Sequence, residues 1–254
     1  MKKLRFLMVY VPLLAQPAWA QVSEVAVTGG RFLIEVEAGP VWQARNDVQI
    51  PNETGTRFSL TDLVGAGPYF AYRVTGSWQI NRQHGLRLLI APLTITGEGI
   101  PGAPLEFTGR NFQPGVATEA AYRFNSYRLT YRYRFHDGVR WNWQLGFTAK
   151  IRDAKVELRQ ADVSARDFNI GFVPLLHLSG ELQLARDWRL HGEVDALAAP
   201  QGRAEDVAIK LSYTPAGRWS VAIGYRTLEG GADVDEVFTF AWLHYGVVSL
   251  SYRI

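Results

Sequence analysis

The 254-residue chain has no cysteine, so disulfides, thiolate metal sites and cysteine nucleophiles are all excluded. Long apolar runs are missing too. After the N-terminal leader no stretch approaches the roughly 18 residues a transmembrane helix signals. An excess of one charge is also absent. The chain carries 27 basic and 24 acidic residues, and three basic ones (Lys2, Lys3, Arg5) sit in the leader, so 27 − 3 = 24 remain against 24. A balanced chain offers no long-range attraction for nucleic acid. Glycine-rich phosphate cradles are missing as well, because Glu229-Gly230-Gly231-Ala232-Asp233 joins two strand-like segments. No cofactor and no metal site is expected.

What is present begins with a compartment signal. A basic start, an apolar run from Phe6 to Ala15 and the small-x-small site Ala18-Trp19-Ala20 form the three-part pattern of a secretory signal peptide. Residues 1–20 are expected to be removed after Ala20, leaving 21–254 as one exported domain.

That domain reads as strands. From Tyr127 to Phe135, aromatic and aliphatic residues alternate with Arg128, Thr130, Arg132 and Arg134. Successive side chains of a strand point to opposite faces, so one face is greasy and the other basic. A soluble sandwich would bury the greasy face; a transmembrane barrel turns it to lipid and the charges to the lumen. Ten strands are expected at about 32–44, 69–80, 86–96, 122–135, 139–152, 168–184, 188–199, 206–213, 219–228 and 237–254. Their connections alternate: long at 45–68, 97–121, 153–167, 200–205 and 229–236, tight between. That is the outer-membrane barrel pattern, with short periplasmic turns and longer external loops. Nothing helical competes. Eight or twelve strands would follow if strand three or segment 97–121 is misread. Parity is ambiguous in strand three, where Leu86, Leu88 and Ile90 compete with Leu89, Leu93 and Ile95. It is expected to slip near Asn125 and Asp153.

Aromatic placement favours the barrel. Trp78, Tyr133, Phe135, Trp141, Trp143, Trp188, Trp219 and Tyr252 all lie beside a short turn or the C-terminus, and Trp42 lies at the opposite end. Two aromatic belts are what membrane interfaces select. Strand preference alone explains aromatics being present, not their tracking of the turns.

Inward-facing residues are where chemistry would sit. The expected lumen charges are Glu35, Glu37, Arg73, Arg128, Arg132, Arg134, Lys150, Arg152, Glu181, His191, Lys210 and Arg226. A ten-stranded interior is little wider than one that side chains fill, so these charges should pair and largely plug it. Strands four and five read as its basic side, six and seven as its acidic side. The tight turn at 185–187 places His177 opposite Asp195, Ser179 opposite Glu193 and Glu181 opposite His191. Catalytic candidates are accordingly His177, Ser179, Glu193 and Asp195, since serine, histidine and carboxylate together can support acyl transfer. His177, His191 and Glu181 would be the metal alternative. A cross-strand polar ladder that fixes register is the default. Asp206 should face Arg226 if Tyr213 pairs with Trp219. The external segment 97–121 is either passive or a recognition loop that can be trimmed without unfolding.

Two resemblances bear on these residues. His177-x-Ser179 on a strand resembles outer-membrane lipid A deacylases, but Gly180-Glu181 follows where that family continues with asparagine, and the pair points inward. The runs Arg123–Phe135, Gly171–Leu178, Ala199–Ala204 and Gly224–Asp233 resemble an uncharacterised family of Gram-negative outer-membrane β-barrel proteins. That resemblance implies the fold and the outer membrane, and carries no activity. Expected partners are outer-membrane lipid, lipopolysaccharide and the barrel-assembly machinery. The machinery would read the alternating end Val248, Leu250, Tyr252, Ile254, in which Ile254 replaces the usual phenylalanine. The barrel is expected to be a monomer.

Overall fold

The computed structural model describes residues 31–215 and 217–254, so the leader at 1–20 and its cleavage lie outside the described residues. Ten antiparallel strands close into one barrel. They are β1 (Phe32–Gln49), β2 (Tyr69–Gln79), β3 (His84–Ala91, resuming as Thr94–Gly99), β4 (Thr118–Asp137), β5 (Trp141–Gln160), β6 (Val163–Ala185), β7 (Trp188–Ala199), β8 (Gly202–Tyr213), β9 (Trp219–Val234) and β10 (Val237–Arg253). Closure comes from β10 on β1, from Leu33↔Arg253 to Gln49↔Phe238. β3 is interrupted at Pro92, which has no N–H for the ladder.

Several strands are longer than their hydrophobic alternation suggests. The expected loops 153–167, 200–205 and 229–236 are mostly strand, turning at 161–162, 200–201 and 235–236. β5 shows the physical reason. Its outward residues run Trp141, Leu145, Phe147 and Ile151, and then Asp153, Lys155, Glu157 and Arg159 on the same face. Its inward residues run Thr148 and Lys150, and then Val156 and Leu158, which are 6% and 0% exposed. The backbone parity is unbroken, but the two faces exchange polarity between Ile151 and Asp153. Lipid needs an apolar exterior; water beyond it needs a polar exterior over an apolar core. The barrel therefore has a lower storey, on the side of the short turns, and an upper storey of the opposite polarity.

The same exchange removes the expected slip at Asn125 and Asp153. β4 and β5 pair without interruption from Glu119↔Arg159 to Arg134↔Gln144, and the register shifts only between Arg134 and His136. Strand three is ambiguous in sequence because both of its faces are apolar. Leu88 and Ile90 face outward, while Leu89, Leu93 and Ile95 are buried.

Only two connections are long, 50–68 and 100–117, and both fold inward. The first holds the two-residue strand Phe58–Ser59 and a single helical turn, α1 (Leu60–Val64), which corrects the expectation of no helix. Ser59 caps it by accepting from the Asp62 N–H at 3.2 Å. The second holds a hairpin of Leu105–Phe107 with Arg110–Phe112. Its two turn residues, Thr108 and Gly109, have φ of 49° and 72°, the double positive φ of a type I′ turn. The two segments bond each other, Thr56 N–H to Glu106 O and Thr108 N–H to Ile50 O, both at 2.9 Å. Phe107, Phe112 and Leu60 are 0% exposed in one apolar cluster with Ile95, Leu158 and Leu243. Segment 97–121 thus contributes Phe107 and Phe112 to the upper core and is not a wholly external loop.

The lower exterior is apolar, and the aromatics expected at interfaces all face outward on it. Trp141 stacks on Trp143 with ring centres 6.3 Å apart, Trp219 on Tyr252 at 4.5 Å, and Trp78 on Phe32 at 6.0 Å. Trp188, Tyr133 and Phe135 are exposed near the same end, and Trp42 near the other. From Trp141 to Ile151 the apolar stretch of β5 matches the roughly 9–11 residues that span a bilayer.

Candidate functional site

The lower lumen holds an ionic cluster fed by seven strands. Arg73 on β2, Arg87 on β3, Arg128 on β4, Lys210 on β8 and Arg226 on β9 meet Glu35 and Glu37 on β1, Glu193 and Asp195 on β7, and Asp206 on β8. Arg226 is its hub and is 1% exposed. Its Nε and Nη2 donate to Glu37 at 2.9 and 3.1 Å, its Nη1 to Asp206 at 2.5 Å and its Nη2 also to Glu193 at 2.7 Å. Asp206 further takes Arg73 at 3.0 Å and Arg128 at 2.7 Å. Lys210 reaches Glu35 at 2.6 Å. Five cations against five carboxylates leave this cluster without net charge. Such burial is tolerated because every ion is paired.

The expectation of a basic side on β4 and β5 and an acidic side on β6 and β7 is therefore incomplete. Carboxylates also come from β1 and β8, and cations from β2, β3, β8 and β9. Sequence reasoning missed Arg87, concealed between Leu86 and Leu88 in the strand of unclear parity. It placed Asp206 opposite Arg226, but β8 and β9 pair Ala208 with Arg226 and Tyr213 with Val221. The turn is two residues wider than assumed, and the ion pair forms diagonally. Arg132 and Arg134 lie nearer the short-turn end; Arg134 sits 3.5 Å from Asp137.

The register of β6 on β7 is the expected one: His177↔Asp195, Ser179↔Glu193 and Glu181↔His191. Within it, His177 Nδ1 lies 2.8 Å from Asp195 Oδ1 and Nε2 lies 3.1 Å from Ser179 Oγ. The carboxylate on the histidine is thus Asp195. Glu193 is held by Arg87 at 2.7 Å and by Arg226 instead. Asp195 also accepts from Arg128 at 2.9 Å and from Thr148 at 3.0 Å. His191 pairs separately, with Glu181 at 3.2 Å and Ser212 at 2.9 Å. The two histidines therefore do not share a metal-like centre, and among the described residues no group of three potential ligands converges. Ser179 borders a cavity of about 150 Å³, together with Arg87, Arg132 and Glu193.

A larger cavity, about 440 Å³, lies in the upper storey beside β6. Lys150 and Arg152, both expected lumen charges, border it, but neither joins the ionic cluster. Among the described residues no carboxylate lies within ion-pair distance of either one; Lys150 Nζ sits 4.9 Å over the Phe124 ring, and Arg152 donates to Asn169 at 2.7 Å. Higher still, burial raises the Asp167 carboxyl. On the polar exterior, hydrogen bonds from Lys155 and Arg159 hold Glu157 below the usual carboxylate range.

No protein-family model matches the chain, and no curated protein matches it in sequence. Solved structures do resemble it. The outer-membrane protease OmpT of Escherichia coli aligns with a TM-score of 0.53 at 9% identity, covering 89% of this chain and 98% of that one. Ail, the attachment invasion locus protein of Yersinia pestis, in complex with the heparin analogue sucrose octasulfate, gives 0.41 at 9% identity over 88% and 99%. Neisserial surface protein A gives 0.36 at 13% identity over 89% and 99%. At 9% identity the likeness to the protease extends to the fold. The chain has the closed antiparallel barrel architecture found in outer-membrane proteins.

Proposed function

We propose that this protein is a monomeric outer-membrane barrel whose lumen is closed to diffusion, acting as a membrane-embedded scaffold for its polar outer rim. The observation that carries the reading is the pairing of two different closures: the ionic cluster around Arg226 below and the Phe107–Phe112 core above. Its lower exterior would contact outer-membrane lipid and lipopolysaccharide. The outward residues Val248, Leu250 and Tyr252 of β10 would be presented to the assembly machinery. After export and removal of residues 1–20 the protein is expected in the outer-membrane fraction. Planar-bilayer recording tests the closure. Refolded protein should show no stable large conductance, and a steady open-channel current would overturn the reading.

The bonded chain Ser179–His177–Asp195 favours a second reading, an ester or lipid hydrolase. Serine, histidine and carboxylate are within hydrogen-bond distance in the order such catalysis uses. As a scaffold, the barrel should be indifferent to Ser179→Ala: no fluorophosphonate label on Ser179 and no loss of any lipid or ester turnover. Stoichiometric labelling of the wild type, lost in that variant while the barrel still folds, would establish the hydrolase instead.

A further inference from the structure

The wall of the barrel has a notch. β6 pairs with β5 along its length, from Val163↔Gln160 to Leu182↔Trp141. On its other side it pairs with β7 only from Leu176↔Ala196 downward. The β7–β8 hairpin turns after Ala199↔Gly202, so the edge of β6 from Val163 to Leu175 has no strand partner on that side. Pro174, at the foot of the gap, cannot donate a ladder bond. An unpaired edge is normally covered or charged. Here the flanking outward residues are Phe168, Ile170 and Phe172, 66%, 70% and 62% exposed.

The height of the notch matters. Phe172 pairs with Ile151 and Ile170 with Asp153, so the gap straddles the level at which β5 exchanges its lipid face for a polar one. Its foot is in the apolar band and its top is above it. Behind it lies the cavity of about 440 Å³, within the usual range for small-molecule sites. Phe172, Val173, Pro174 and Leu197 form its apolar mouth, and Lys150 and Arg152 stand inside. Lys150 is 4% exposed and has no anionic partner. Arg152 Nε is buried without any acceptor. Asp167, Glu229 and Glu236 also border the space, but Glu229 is engaged by Arg203. The cations of the central cluster are matched by carboxylates. Among the described residues Arg132, near the short-turn end, also lacks one, but of these unmatched cations only Lys150 and Arg152 border the lipid-level opening.

We propose that this notch admits a single-chain anionic amphiphile sideways from the membrane boundary. Its hydrocarbon tail would lie along Phe172, Pro174 and Leu197, and its carboxylate or phosphate head would meet Lys150 and Arg152. The size of the cavity suits one chain and a small head, not a multi-chain lipid. The site rests on the membrane-spanning reading of the wall, but it is independent of whether the axis conducts.

Dansylaminoundecanoate titrated into the folded barrel in vesicles is the test. Saturable binding is expected, weakened about tenfold or more by Lys150→Gln, the scale of losing one charge-assisted hydrogen bond. Ala199→Trp, on the exposed rim of the notch, should block it, and Arg159→Gln on the polar exterior should leave it unchanged. A dansyl lysophosphatidylglycerol held in the same vesicles separates the sources. Saturation by that lipid, alone or together with the free acid, supports entry from the leaflet; saturation by the free acid alone assigns the external medium and overturns sideways entry. Binding by neither probe, or equal binding in all four proteins, overturns the proposal. Heat-modifiable electrophoretic migration scores folding separately, so a variant that does not fold is told apart from a folded one that does not bind.

Discussion

Arg226→Met should cost about 3–5 kcal/mol of stability, the scale of breaking a buried ion pair from one side. Three carboxylates, Glu37, Asp206 and Glu193, accept from this one guanidinium. Without it Glu37 keeps only a long hydrogen bond from Lys210 at 3.5 Å and Arg73 at 3.7 Å, beyond hydrogen-bond distance. Against a typical domain stability of about 5–15 kcal/mol, a loss of that size decides whether most chains fold. Arg226→Lys should fall between, because lysine restores the charge but not the planar fork that reaches three partners at once. Urea unfolding in detergent, followed by tryptophan fluorescence, reads the difference. A methionine variant within about 1 kcal/mol of wild type would mean that the cluster does not hold the lower storey.

Leu145→Arg is the second large effect. Leu145 points outward near the middle of the apolar part of β5 and is 52% exposed. An arginine on the lipid face near the bilayer midplane costs about 2–4 kcal/mol. Arg159 shares that face of the same strand but lies above the exchange of polarity, so Arg159→Leu should change stability by no more than about 0.5 kcal/mol. Equal, small effects at both positions would indicate that β5 meets water along its whole outward face.

How far the fold could be read from the sequence depended on the storey. In the lower one, Tyr127–Phe135 and Trp219–Tyr225 alternate cleanly, because lipid and lumen demand opposite polarities of a two-residue period. The strand count, the direction of the aromatics and the register of His177 on Asp195 all follow from that period. Above Ile151 the same period continues with its chemistry reversed. Asp153–Arg159 then resembles a charged loop when it is strand. Phe107 and Phe112 resembled loop aromatics because nothing local says that their hairpin folds back into the mouth. Within the site, the candidates His177, Ser179 and Asp195 could be placed by parity. Which of Glu193 and Asp195 serves the histidine could not be read that way: Arg87, hidden among leucines, engages Glu193 and leaves Asp195 to the histidine. The notch was not legible at all, since it depends on where β7 stops pairing and not on any residue pattern.

The exchange of polarity along one strand is the central claim, and the absence of native cysteine makes it directly measurable. Single cysteines placed at 145, 147, 149, 151, 153, 155, 157 and 159 of β5, each labelled with a small fluorophore in vesicles, can be challenged with nitroxide lipids and with a water-borne quencher. The first four should be quenched by lipid and the last four by the aqueous agent, with the crossover between 151 and 153. Aqueous quenching at all eight positions, or lipid quenching that continues to 159, would contradict it.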